Sequence, residues 1–277
     1  RDVLTTRYTA KVVSFFVGAV VAAAIFAANV VLALRRTRQD RPAGRLVSFA
    51  ERTLLGLVSA ATAIVAVGFG IAAAQRWETW LLWFHGDAFG IEDPVFRRDV
   101  GFFLFALPAL HSLQSAALTL LIATTVAVTV VYAARLGTNV RSVRGVPRQM
   151  RVHVLALGGG ILVVVAVGNV LANYDLVYSD RGVVFGASYT DVHAQRLANW
   201  TLAFVTLAIA GLLLVNAFVQ RIRLLIGAVV VWGVASVLLG YIVPAAVQQT
   251  VVEPSELRRE RPYIANNLAM TRAAFEL

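Results

Sequence analysis

No cysteine occurs in the 277 residues, which excludes a disulfide framework and any thiolate metal site. Lysine is nearly missing too. Lys11 stands alone against 24 arginines, a bias that points to a GC-rich coding sequence rather than to a physical demand. Charge of either sign is scarce, at 14% of residues, where an ordinary soluble domain carries about 25%. Asp, Glu, Lys and Arg are absent altogether from six long apolar stretches, 12–34, 53–74, 109–134, 152–174, 198–219 and 224–247. The catalytic signatures are missing as well. No Walker A, GxSxG or HExxH pattern occurs, so nucleotide-driven transport and the common hydrolase chemistries have no support, and no cofactor is expected.

What is present is apolar sequence, 59% of the chain. Each of the six stretches exceeds the roughly 20 residues needed to cross a hydrocarbon core. Backbone groups in lipid must be satisfied internally, so the expectation is an all-α, polytopic transmembrane bundle of six spans. The net charge of +10 would suggest nucleic acid in a soluble chain. Here the arginines sort by connection instead. The first, third and fifth connections hold 13 basic residues and two acids, a balance of +11, and everything else sums to −1. The positive-inside rule then predicts odd-numbered connections in the cytoplasm and both ends of the chain outside a bacterial plasma membrane. Those basic loops have few interleaved aromatics, so anionic lipid is the expected partner and nucleic acid is not.

The longest interruption of the apolar pattern is QRWETWLLWFHGDAFGIEDPVFRRDVGFFLFALP, 75–108. Trp77, Trp80, Leu81 and Phe84 fall at i, i+3, i+4 and i+7, and Asp93-Pro94 has the form of an N-cap with proline at the first helical position. From there Phe96, Val100, Phe103, Leu104 and Leu107 make an apolar stripe, with Arg97, Arg98 and Asp99 facing away. Two amphipathic interfacial helices are expected, at 77–84 and 94–107, forming a collar. Residues 248–277 carry four arginines and four acids after Val252 and read as the start of an aqueous, extracytoplasmic region. A helix is expected from Ser255-Glu256, interrupted by Pro262.

Candidate functional residues fall in two groups. His111, Gln114 and Ser115 share one helix face, and Asn169 and Asn173 lie inside a span beside Asn29, Asn199 and Asn216. Such polar groups either join helices or line a path. On the outer face, Arg97, Arg98 and Asp99 are candidates as the polar side of the collar, the two arginines for docking Glu253, Glu256 and Glu260. Asp191-Val192-His193 offers two ligand-type side chains, fewer than a metal site needs, and local capping explains them as well.

Three strings, DPVFRRDVGFFLFALP, FGASYTDVHAQRL and VEPSELRRERPYIANNLAMTRAAFEL, together resemble uncharacterised protein family 0182 over the whole chain. That resemblance implies a large bacterial membrane protein with about seven N-terminal spans and a long extracytoplasmic region, of which this chain is a piece lacking the first span. The start at Arg1, without methionine, fits that expectation. The resemblance transfers no activity and no site residue. The readings from sequence are a membrane anchor or scaffold for an external domain or complex, a transport or channel module, or an enzyme on lipid-linked envelope substrates. Partners would be the bilayer, the chain's own extracytoplasmic domain and further proteins.

Overall fold

The computed structural model describes residues 2–37, 45–136 and 147–275. The order is α1 (Asp2–Arg36), α2 (Arg45–Gln75), α3 (Trp77–His85), α4 (Leu107–Leu136), α5 (Arg148–Asp175), α6 (Arg196–Val219), α7 (Ile222–Val237), α8 (Val243–Val247) and α9 (Glu256–Ala274). Among the described residues no strand forms, and the sole ladder contact is the bridge between Glu92 and Asp99. Six helices are long and apolar enough to cross a membrane, and they fit a multi-pass membrane protein. Arg38, Arg41, Arg141 and Arg144, which carry part of the charge argument, lie outside the described residues.

Residues up to His85 together with Ser115–Ile161 form one compact unit, and Gly86–Gln114 with Leu162–Leu277 form the other. In the first unit, α1 and α2 approach closely through small residues. A Cβ on Gly18 would lie 2.7 Å from the Cβ of Ala73 and 2.9 Å from the Phe69 carbonyl oxygen. Gly70 likewise sits against Phe15. Gly18→Ala should therefore cost about 1–3 kcal/mol by overpacking. A melting curve in detergent checks this, and an unchanged midpoint would mean that the pair slides apart freely.

Ala22, Phe26, Val30 and Ala33 of α1 pack with Leu120, Val128 and Val131 of α4 and Leu157 of α5. At one level this apolar core contains a polar chain. The Tyr132 hydroxyl lies 2.8 Å from His153 Nδ1, and His153 Nε2 lies 3.0 Å from Asn29 Oδ1. One residue from each of three helices is thereby tied, with Tyr132 and His153 both buried. α3 follows α2 after a turn at Arg76, and Trp80 Nε1 donates back to the Ala73 carbonyl at 3.2 Å. Arg7 and Lys11 of α1 lie 6.0 and 5.9 Å from the Trp77 ring centre. Leu82 and Phe84 remain exposed on α3.

The second amphipathic helix expected at 94–107 does not form as one element. Asp93 caps a single turn, its Oδ1 accepting the N–H groups of Val95 and Phe96 at 2.9 and 2.7 Å. The turn then ends, because Arg97 takes a left-handed conformation with φ 54°. Helix resumes at Val100 and runs on through a wide turn, Phe102–Ala106, into α4. The cause of this restart is Asp99, which does not simply face solvent. Its carboxylate accepts N–H groups from Phe89 at 3.1 Å, Gly90 at 2.8 Å and Gly101 at 2.7 Å, capping the new helix and fastening the preceding loop to it.

Three of the four wide turns share a chemistry. In the first, the Leu107 N–H bonds to the Phe102 carbonyl, five residues back. Pro108 has no N–H to offer, so the Phe103 carbonyl is left open, and the Tyr178 hydroxyl donates to it at 3.0 Å. Two more such turns, Leu238–Ile242 and Gln248–Val252, are each followed two residues later by proline, at Pro244 and Pro254. A fourth, Asp191–Gln195, leads into α6.

α6 and α7 make a tight hairpin. Gln220 adopts φ 60° and closes α6 through its N–H to the Asn216 carbonyl, while Asn216 Oδ1 accepts the Arg221 N–H at 3.0 Å. Trp232 Nε1 on α7 donates to Thr206 Oγ1 on α6 at 3.0 Å. The helical path does not stop at Val247. It is continuous from Arg223 to Ala274, 52 residues, far beyond the roughly 20 that one crossing uses. Pro262 lies within α9 without interrupting it.

Candidate functional site: a clamp between the 175–197 loop and α9

The second unit concentrates its buried polar side chains where the loop after α5 meets α9. The loop first closes on itself, with the Gly186 N–H on the Ser179 carbonyl at 2.8 Å; Gly186 has φ 120°, which a side chain would oppose. Asp191, 1% exposed, then organises the start of the helix leading into α6. Its Oδ2 accepts from the Ser188 hydroxyl at 2.7 Å and the Ser188 N–H at 3.1 Å, and its Oδ1 from Arg181 at 3.0 Å.

α9 closes over this cap. Glu260, 2% exposed, accepts the Tyr189 N–H at 3.1 and 3.3 Å through its two oxygens. Arg259 donates to the Tyr189 hydroxyl at 3.0 Å and lies 5.0 Å from the centre of that ring. Asn267 donates to the Phe185 carbonyl at 2.7 Å, and the buried Thr190 hydroxyl donates to Gln248. Beside these contacts is a cleft of about 370 Å³ lined by Tyr189, His193, Arg258, Arg259, Pro262 and Tyr263. The His193 ring stacks flat on Tyr189, 4.1 Å between centres, and its Nδ1 lies 3.1 Å from the Tyr189 carbonyl. A carbonyl only accepts, so Nδ1 carries the proton.

The sequence candidates are thus distributed. Asp191 and His193 do not converge, since Asp191 turns to Ser188 and Arg181 and His193 to Tyr189. Among the described residues no group of three or more metal-type ligands forms. His111 pairs with Asp175 at 2.8 Å, and Gln114 lies against Gly168, where an added Cβ would be 2.8 Å from its Nε2. Ser115 is exposed and its carbonyl accepts the Thr119 hydroxyl at 2.9 Å. Asn173 is buried and donates to the Asn169 and Val170 carbonyls at 3.4 and 3.3 Å. Arg97 and Arg98 are exposed, and Arg98 lies 5.5 Å from the Phe102 ring centre. Among the described residues neither arginine pairs with Glu253, Glu256 or Glu260, because Glu260 is buried against Tyr189 instead.

Asp99 is the charged candidate whose environment shifts its titration. Backbone N–H groups, that of Phe89 foremost, hold its carboxyl below the usual carboxylate range. A depressed folded-state pKa stabilises the fold above the unfolded-state value and loses that contribution as pH falls through the folded one. The protection factors for amide exchange at Phe89, Gly90 and Gly101 should therefore fall on acidification, and at neutral pH in Asp99→Asn. Equal protection in both proteins would show that the carboxylate charge is not what closes the loop.

The profile of the uncharacterised protein family UPF0182 matches residues 1–277. The chain belongs to that family. A UPF0182 protein of Frankia alni is 34% identical over 99% of this chain and 27% of its own length. One from Frankia casuarinae is 36% identical over 99% of this chain and 28% of its own length. One from a Synechococcus strain is 37% identical over 81% of this chain and 29% of its own length. The chain therefore spans under a third of these UPF0182 relatives. No solved structure matches it.

Sequence reasoning did not single out Tyr189, Arg259, Tyr263, Tyr132 or His153. For His153 a signal was present, since a histidine two residues into an apolar stretch is itself unusual. For the others, burial and distance in sequence were the decisive facts, and neither is written locally.

Proposed function

We propose that this chain is the multi-pass region of a bacterial plasma-membrane protein and that it anchors and orients an extracytoplasmic portion through α9. The observation that carries this reading is the burial of Glu260 against the Tyr189 N–H. A helix that only exits a membrane needs no such contact, whereas a strut must be held at a fixed angle. The asymmetric arginine distribution supports an external position for the clamp and for both ends of the chain. In this reading the partners are the bilayer, the rest of the same polypeptide, and proteins that assemble on it.

Spin labels at Ser179 and Phe275 of the full-length protein test the strut. Their distance distribution should be narrow, and Glu260→Ala should broaden it while the membrane helices stay folded. A distribution that stays narrow in the variant would overturn the reading. Orientation is tested separately with single cysteines at Thr37 and Ser179, and at Thr138, which lies outside the described residues. Only the Ser179 cysteine should react with an impermeant thiol reagent in intact cells.

A further inference from the structure

The clamp explains why Tyr189, Glu260 and one edge of Arg259 are where they are, but it leaves the cleft beside them unused. Its lining contains two arginines, a histidine and two tyrosines and no acid. The neighbouring carboxylates are committed elsewhere, Asp191 to Ser188 and Arg181, and Glu260 to the Tyr189 N–H. Glu256, on the same helix, is solvent-exposed and does not line the cleft. Arg258 is exposed on the cleft wall and makes no hydrogen bond or ion pair with any described residue. Arg259 spends one N–H on Tyr189 and has its guanidinium held over that ring, while its Nε is buried with no acceptor. A guanidinium fixed in this way by an aromatic face offers its remaining donors in a set plane, the geometry that phosphate oxygens match.

Depth points the same way. His193 lies five residues before the apolar run beginning at Ala198, about 7 Å along a helix axis. That is close to the thickness of the headgroup layer on one side of a bilayer, about 6 Å.

We propose that this cleft binds a phosphate-group anion, with Arg258 and Arg259 as the charged donors and Tyr189, His193 and Tyr263 as flat walls. The recognised chemistry is shared by an anionic phospholipid headgroup and by free phosphate in water. Calorimetric titration of the full-length protein in a maltoside detergent, which carries no phosphate, separates the two sources. The probes are inorganic phosphate and dihexanoylphosphatidylglycerol. Saturable binding is expected, weakened about ten-fold or more in Arg258→Gln, with the melting temperature unchanged because Arg258 takes no part in the clamp. Binding of the lipid alone assigns a headgroup site, and binding of both, or of phosphate alone, assigns a site for the free anion. Arg259→Lys, which keeps the charge and loses the planar fork, should also weaken binding. No saturable binding of either probe, or equal binding by wild type and Arg258→Gln, would overturn the proposal and leave the strut reading untouched.

Discussion

Asp191→Ala should be among the most damaging single changes in this chain, lowering stability by about 2–4 kcal/mol in detergent melts. The carboxylate is 1% exposed and accepts three hydrogen bonds, two from Ser188 and one from Arg181. Bonds to a charged group contribute about 1.5–3 kcal/mol each, and those lost here are partly recovered by water at Arg181, which is 36% exposed. Ser188→Ala removes one of the three and should cost about 1.5 kcal/mol, the low end of that range, because the Ser188 N–H bond remains. Asp191 holds Ser188 and Glu260 holds the N–H of the next residue, Tyr189, so Asp191→Ala should also broaden the α9 distance distribution. A stability loss no larger than that of Ser188→Ala would mean that the cap is dispensable and that α9 alone orders the loop.

His153→Leu should cost about 2 kcal/mol through a different mechanism. It removes the histidine partner of the buried Tyr132 hydroxyl, which keeps only Arg36, and of the half-buried Asn29 Oδ1, at about 1–3 kcal/mol for a buried group left under-satisfied. The added apolar contact of leucine offsets part of that. Tyr132→Phe removes only one of the two links and should cost about 1 kcal/mol or less, the usual scale for a hydrogen bond between membrane helices. If both variants melt like the wild type, water reaches this level of the first unit and the chain of hydrogen bonds does not tie the helices.

The crossings were legible because they depend on a local quantity, an uninterrupted apolar run. The α6–α7 hairpin was legible for a similar reason, since five polar-edged residues leave no other path. α3 was readable from its i, i+3, i+4 and i+7 aromatics. The 94–107 region shows the limit of periodicity. Asp93-Pro94 does cap a turn, but Arg97 ends it and Asp99 starts the helix again through the Gly101 N–H while holding a loop residue, Gly90, nine positions away. The apolar stripe continued through that interruption and so concealed it. The clamp was illegible for a related reason. Glu260 and Tyr189 are 71 residues apart, and nothing in RRERPY distinguishes a glutamate in water from one buried against a backbone N–H. Charge complementarity suggested Arg97 and Arg98 as its partners, and the buried contact with Tyr189 took their place.

The prolines that follow the wide turns carry a consequence for how α9 is aimed. An α-helix advances about 100° per residue, so a turn holding one extra residue rotates every later side chain by that angle relative to an uninterrupted helix. Between Arg223 and Ala274 this happens twice, at Leu238–Ile242 and at Gln248–Val252. Up to Val252 the azimuth of each side chain is thus set by a tally of residues upstream, and the two offsets together amount to about 200° before the tight turn Glu253–Ser255 leads into α9. Losing one residue from Gln248–Val252 lets the wide turn relax to an ordinary α-turn, so the residues beyond it keep their azimuth. The same loss from the regular turn Val243–Val247, where no extra residue is stored, swings every later side chain by about 100° around the axis. In this stretch the place of an in-frame deletion decides whether it is a rotation, a property that no single side chain records.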